Sequence, residues 1–214
     1  MNSFSKNILI NLIKLVIALI VFIHPSNALA QKGSAVFAGG CFWCLEHDFE
    51  NIKGVISVES GYTGGELTNP SYRNHEGHQE AVIVHYDPTE ISYPKLLRNF
   101  WRNIDPLDAE GQFCDKGDAY RPIIFASDKQ QKDYALQSIE LASKELNLSQ
   151  TKIMVEIKPL NQFWLAEEYH QDFAKNNSFQ YNFYRYRCGR DNRLDELWGD
   201  SARTGKGWKS RSEP

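Results

Sequence analysis

The chain has 214 residues, 42% hydrophobic and 24% charged, enough to bury one core and short of what two domains need. Its formal net charge is −3, and a mildly acidic surface argues against a nucleic-acid partner. There are no internal repeats, and no Pro/Ser linker marks a second domain.

Taken in chain order, residues 1–30 read as a secretory signal peptide: Lys6, an apolar stretch from Ile8 to Ile23, then His24-Pro25 and the small-residue end Ala28-Leu29-Ala30. The longest unbroken apolar run, Leu15 to Ile23, falls short of the roughly 20 residues that a spanning helix needs. Cleavage is therefore expected to leave no stable membrane span, with an N-terminal anchor as the alternative if the segment is retained. The protein is expected to be exported, to a periplasm or the extracellular space. Loss of Lys6 and Lys14, with no acid, moves the net charge from −3 to −5.

A domain is expected over residues 31–200. Ala35 to Ala38 reads as a buried strand that ends at Gly39-Gly40 and runs into a helix from Phe42 to Ile52, with Leu45, Phe49 and Ile52 on one face. Val55 to Ser60 is predicted as a strand, closed by a turn at 61–65 and followed by a loop to about Gln79. Glu80 to Tyr86 alternates like a strand, and Ser92 can cap a helix through Trp101. Arg121 to Ala126 suits a central strand, Ser127 or Asp128 caps a helix to about Leu146, and Lys152 to Lys158 makes a further strand. The order implies interleaved βαβ units, so the predicted fold is α+β, a ferredoxin-like α/β sandwich. Beyond about Asn176 a long ordered coil is expected, then a mobile tail over 201–214.

The chemistry concentrates at Gly39-Gly40-Cys41-Phe42-Trp43-Cys44. Cys41 stands where a helix begins, and free N–H groups with the positive dipole end there lower a thiol pKa to roughly 3.5–7.5. The two glycines would let a substrate approach the backbone. The ring of Trp43 beside a reactive sulfur suits an apolar, polarizable group. A strand leading into Cys-x-x-Cys also opens thioredoxin-like oxidoreductases, so the motif alone leaves both readings standing. Zinc would want further ligands, for which His75 and His78 are the only candidates, in an apparent loop. No dinucleotide fingerprint is present, because the glycines of 61–65 lack the spacing and open no helix.

Six motifs occur together in one order: Gly-Cys-Phe-Trp (40–43), Gly-Tyr-Thr-Gly-Gly (61–65), Asn-Pro-Ser-Tyr (69–72), Gly-His-Gln-Glu (77–80), Tyr-Asp-Pro (86–88) and Cys-Asp-Lys-Gly-Asp-Ala-Tyr-Arg (114–121). The set resembles the A-type peptide methionine sulfoxide reductases, from about Val36 to Gly199. The resemblance implies thiol-dependent reduction of methionine S-sulfoxide, in proteins, peptides or free; from the motifs themselves no organic cofactor and no metal are expected. It implies Cys41 as nucleophile and Glu80 as proton donor to the sulfoxide oxygen, which fits the need of an oxide leaving group for an acid. Tyr72 and Tyr120 match phenols that bind that oxygen, Asp115 a carboxylate that orders water and positions substrate, and Phe42 with Trp43 a pocket for the substrate methyl. Cys44 and Cys114 stand where many members have other residues, and the stretch between the Asn-Pro-Ser-Tyr and Gly-His-Gln-Glu motifs is shorter than in many.

The cycle so implied passes through a Cys41 sulfenic acid. Cys188, in Tyr-Arg-Cys-Gly-Arg, matches the C-terminal resolving position and is the favoured first resolver, with Cys44 its rival and Cys114 a third candidate. Thioredoxin or an equivalent dithiol protein would then reduce the disulfide. A plain Cys-x-x-Cys thiol-disulfide oxidoreductase is the competing enzyme, and a secreted binding domain with structural disulfides the competing non-enzyme.

Overall fold

The structure, a computed structural model, describes residues Lys32–Trp208. The signal segment expected at 1–30 lies outside the described residues, among which no helix is long and apolar enough to cross a membrane.

Strand β1 (Gly33–Ala38) is followed by helix α1 (Phe42–Glu50), β2 (Val55–Thr63), β3 (Gln79–Tyr86), α2 (Tyr93–Trp101), a ribbon of β4 (Gly111–Gln112) and β5 (Asp115–Lys116), β6 (Ile123–Ala126) and α3 (Lys129–Glu145). Then come β7 (Glu156–Pro159), β8 (Phe163–Leu165), α4 (Phe173–Asn176), α5 (Ser178–Arg187) and α6 (Arg190–Trp198). The main sheet runs β7-β6-β1-β3-β2-β8. Its four central strands, β6-β1-β3-β2, are antiparallel neighbours joined as β1-α1-β2 and β3-α2-β6, the two interleaved units of the ferredoxin-like arrangement. The edges are short: β7 adds parallel to β6 and ends in Pro159, and the three residues of β8 add antiparallel to β2.

The period of two along β1 divides the core. Ala35 and Phe37 face α1, α2 and α3 with Val82, Val84 and Ile124, whereas Val36 and Ala38 join Ala81, Ile123 and Phe125 on the opposite face. Phe37 is the hinge of the larger cluster, its ring 5.2 Å from Phe49 of α1 and 5.1 Å from Phe100 of α2. Leu45 and Phe49 bury the predicted α1 face and Ile52 packs against it. Asp128 caps α3 by accepting the Gln131 N–H at 2.8 Å, and Trp101 Nε1 donates to Ser138 Oγ at 2.9 Å to tie α2 to α3.

Three expectations need correction. Strand β2 continues through Gly61-Tyr62-Thr63, because these residues pair with Ala81, Glu80 and Gln79 of β3. Beyond Asn176 the chain is helical, in α5 and α6, where a coil was expected. Tyr181, Tyr184 and Arg185 share one face of α5 and dock it on α1, with the Arg185 guanidinium 2.8 Å from Asp48, but a face made of Tyr and Arg carries no aliphatic period. Lastly, residues 201–208 are held on α2: Arg98 Nε donates to the Gly205 carbonyl at 2.7 Å, and Arg102 Nε to that of Lys206 at 3.2 Å.

Candidate active site

The turn from β1 into α1 builds the site. Gly40 has φ +89°, and a Cβ on it would lie 2.8 Å from Cβ of Gln112. Glycine is needed here for packing against the β4–β5 ribbon, where the sequence had suggested room for a substrate. Gln112 is itself pinned, accepting the Asp105 N–H at 2.8 Å and donating to the Asp105 carbonyl at 2.7 Å.

Cys41 occupies the N-cap of α1, its carbonyl accepting the N–H of Cys44 at 3.1 Å. An amide that was expected to stabilise its thiolate is given to a carboxylate, Phe42 N–H donating to Glu80 Oε2 at 3.1 Å, and a second carboxylate, Asp115, lies beside the Cys41 backbone. The thiol is accordingly not depressed. Burial pushes Cys41 well above the ordinary thiol range, reinforced by its hydrogen bond with Cys44 and by the charges of Glu80 and Asp115. Cys44 is fully buried and moves down, through the Cys41 bond first and Arg190 next.

Glu80, the second residue of β3, sits opposite Tyr62 in the ladder and is 2% exposed. Burial lifts its carboxyl to about 8 and the Asp115 charge adds to this, against the Phe42 amide and a hydrogen bond with Tyr120. It therefore holds a proton at neutral pH. Tyr120 ends a short 3₁₀ turn over Asp118–Tyr120, and Tyr72 is half exposed with its ring 4.6 Å from His170. Both phenols are pushed up by burial and then by Glu80, and each is also raised by Asp115 and Cys41. Asp115, on β5, moves up by burial while Tyr184 Oη donates to it. The fold thus brings Cys41, Cys44, Glu80, Tyr72, Tyr120 and Asp115 into one cluster.

Phe42 and Trp43 separate. Phe42 is fully buried behind the site, between Tyr62 and His170. Trp43 is only partly buried, stacks on Phe173 at 3.7 Å, and donates Nε1–H to His170 Nδ1 at 3.1 Å. Cys188, at the C-cap of α5, is joined to Cys114 by a disulfide, while Cys41 and Cys44 are free thiols. His75 and His78 are engaged with the backbone of their own loop, at Ser71 O (3.1 Å) and Leu67 O (2.9 Å).

The sequence reading missed Glu167, His170 and Tyr184. Glu167 accepts from Tyr62 Oη at 3.0 Å and from Tyr72 N–H at 2.9 Å, and so fixes the loop that carries Tyr72. The only available signals were the Glu-Glu-Tyr-His run at 167–170 and the i, i+3 spacing of Tyr181 and Tyr184. Neither points to a site without the fold.

Comparison with known proteins gives one answer. The family model described as peptide methionine sulfoxide reductase matches residues 33–202. The chain is 49% identical over 179 residues to peptide methionine sulfoxide reductase MsrA 2 of Caulobacter vibrioides, covering 82% of this chain and 90% of that protein. It is 47% identical over 155 residues to MsrA of Ligilactobacillus salivarius, covering 71% and 90%. Among solved structures, methionine sulfoxide reductase A of Corynebacterium diphtheriae superposes with a TM-score of 0.64 at 28% identity, over 69% of this chain and 76% of that one. Mxr1 of Saccharomyces cerevisiae in its reduced form gives 0.64 and 28% over 70% and 87%.

Proposed function

The chain belongs to the peptide methionine sulfoxide reductase family, whose members reduce methionine sulfoxide, and from that premise we propose that Cys41 is the nucleophile and Glu80 the acid of the reaction. The observation that carries this is the placement of a buried carboxyl, Glu80, on the amide adjoining Cys41, with the Tyr120 phenol beside it. Cys41 Sγ attacks the sulfoxide sulfur as Glu80 gives its proton to the oxygen; the hydroxyl passes to Cys41, the bond between the two sulfurs breaks with its electron pair left on methionine, and the Cys41 thiol proton restores Glu80, so that the products are methionine and a Cys41 sulfenic acid. Tyr72 and Tyr120 hydrogen-bond the oxygen before it leaves. Asp115 orders water and helps position the substrate. Trp43 receives the substrate methyl, with Phe42 closing the pocket from behind.

Cys188 then condenses with the sulfenic acid, and thioredoxin or a thioredoxin-like dithiol protein returns the enzyme to its thiol form. The substrate is the S-epimer in oxidised proteins, peptides or the free amino acid, met outside the cytoplasm after export. Family membership and six motifs in register support sulfoxide reduction over general thiol-disulfide exchange.

Glu80→Gln tests the acid. Methionine release in the first turnover of pre-reduced enzyme should slow by about 10²–10⁴-fold at neutral pH, with the thiol titre unchanged. A first turnover at the wild-type rate would remove Glu80 from the mechanism.

A further inference from the structure

The Trp43 indole is fixed by two contacts of different kinds. Its face lies on Phe173, with ring centroids 3.7 Å and planes 8° apart, which sets the plane of the ring but leaves it free to slide and turn within that plane. The hydrogen bond from Nε1–H to His170 Nδ1, 3.1 Å long, removes that freedom. An indole nitrogen can only donate, so Nδ1 is the bare nitrogen of His170 and the ring proton sits on Nε2. Burial keeps the imidazole below the ordinary histidine range, against the charge of Glu167, and so holds the acceptor open at neutral pH. Nε2 is the odd atom: on a residue only 2% exposed, it has no hydrogen-bond partner among the described residues and stands 4.0 Å from Glu167 Oε2. A buried donor stranded in this way calls for a reason to keep the ring. The ring also touches both halves of the site, its centroid 4.9 Å from that of Phe42 and 4.6 Å from that of Tyr72.

We propose that His170 is the positioning residue of the methyl pocket: by accepting the indole N–H at Nδ1 it locks the rotation of Trp43, and this sets how tightly the sulfoxide binds. The proposal rests on the assignment of Trp43 to the substrate methyl above. In this scheme His170 moves no proton and meets no reacting atom. What it adds is the same for bound substrate and transition state, so it appears in the half-saturating concentration and leaves the limiting rate alone. A small apolar group then meets a wall held in one place, whereas a loose indole would meet it in several orientations and forfeit part of each contact. The choice of histidine follows from the same bond. Phenylalanine would fill the space and leave the indole N–H unpaired. Asparagine would set an acceptor, Oδ1, as many bonds from the backbone as Nδ1, without the ring.

These two substitutions separate a hydrogen bond from packing. Methionine release in the first turnover of pre-reduced enzyme is followed by rapid quench against the concentration of a methionine S-sulfoxide peptide, which gives a limiting rate and a half-saturating concentration. His170→Phe should raise the half-saturating concentration about ten-fold, the size of one lost neutral hydrogen bond, with the limiting rate within about two-fold of wild type. His170→Asn, which keeps the acceptor, should stay within about three-fold of wild type in both. In a Trp43→Phe background, which lacks the N–H, His170→Phe should add less than about two-fold. A packing role predicts the reverse order, with phenylalanine tolerated and asparagine damaging. Wild-type binding by His170→Phe, weaker binding by His170→Asn than by His170→Phe, a loss confined to the limiting rate, or an undiminished loss in the Trp43→Phe background overturns the proposal. Should His170→Phe not fold, His170→Leu, smaller and also without an acceptor, is judged on the same criteria. Trp43→Ala with an unchanged half-saturating concentration would instead overturn the place given to Trp43 in the pocket, and the role of His170 with it.

Discussion

At the scale of single residues, the proton on Glu80 makes the strongest pH signature. Its folded pKa, about 8, lies above the ordinary carboxylate value, so the acid form is present below about pH 8 and is lost above it. The first-turnover rate should fall as pH rises through that value, and Glu80→Gln should abolish this limb. Linkage gives the same group a sign in stability. The folded state binds a proton that the unfolded chain releases above the ordinary carboxylate range, so the contribution of Glu80 is complete below that range and declines until pH passes about 8. Thermal melts between pH 5 and 9 should fall less steeply in Glu80→Gln, which keeps an acceptor for the Phe42 N–H. The sequence disclosed Glu80 and Cys41 through their motifs. It could not disclose that the Phe42 amide serves Glu80 in place of the thiol, since that follows from Glu80 arriving on β3.

At the scale of elements, the cap of α3 gives a clean test, because Asp128 is exposed and α3 lies away from the reactive cluster. Asp128→Ala should cost about 1 kcal/mol and lower Tm by about 2–4 °C, read by calorimetry, with the rate of sulfoxide reduction unchanged. Docking of α5 is a heavier contribution. Arg185→Ala would leave the nearly buried Asp48 facing a second cation, Arg190, at only 3.7 Å, and loss of one partner of a buried pair costs about 3–5 kcal/mol. Denaturant unfolding should show that loss, while Arg185→Met with Asp48→Leu should recover part of it. These elements differ in how far the sequence showed them. β1, α1, β3 and α2 were legible because aliphatic residues mark their buried faces at period 2 or 3.6. α5 and α6 were not, because Tyr and Arg supply the buried face of α5, and in α6 Leu194 is flanked on that face by Arg190 and Trp198, so that polar ends obscure the pattern.

For the whole molecule, interleaved βαβ order was enough to derive the four central strands, whereas it did not give the position of residues 201–208, which rests on arginine donors of α2 and its C-cap that meet backbone carbonyls far along the chain. A chain ending at Ala202 should fold with a lowered Tm and keep its reductase activity, a separation that melts and a dithiothreitol-coupled assay would measure. The sheet margins carry a further consequence. A protein damaged at methionine is often partly unfolded and presents unpaired strands, and an open sheet edge is a template on which such strands add. Here one margin is four residues closed by Pro159 and carrying Glu156 and Lys158, and the other is three residues long. An enzyme bounded in this way can handle misfolded clients repeatedly without its own sheet seeding their aggregation.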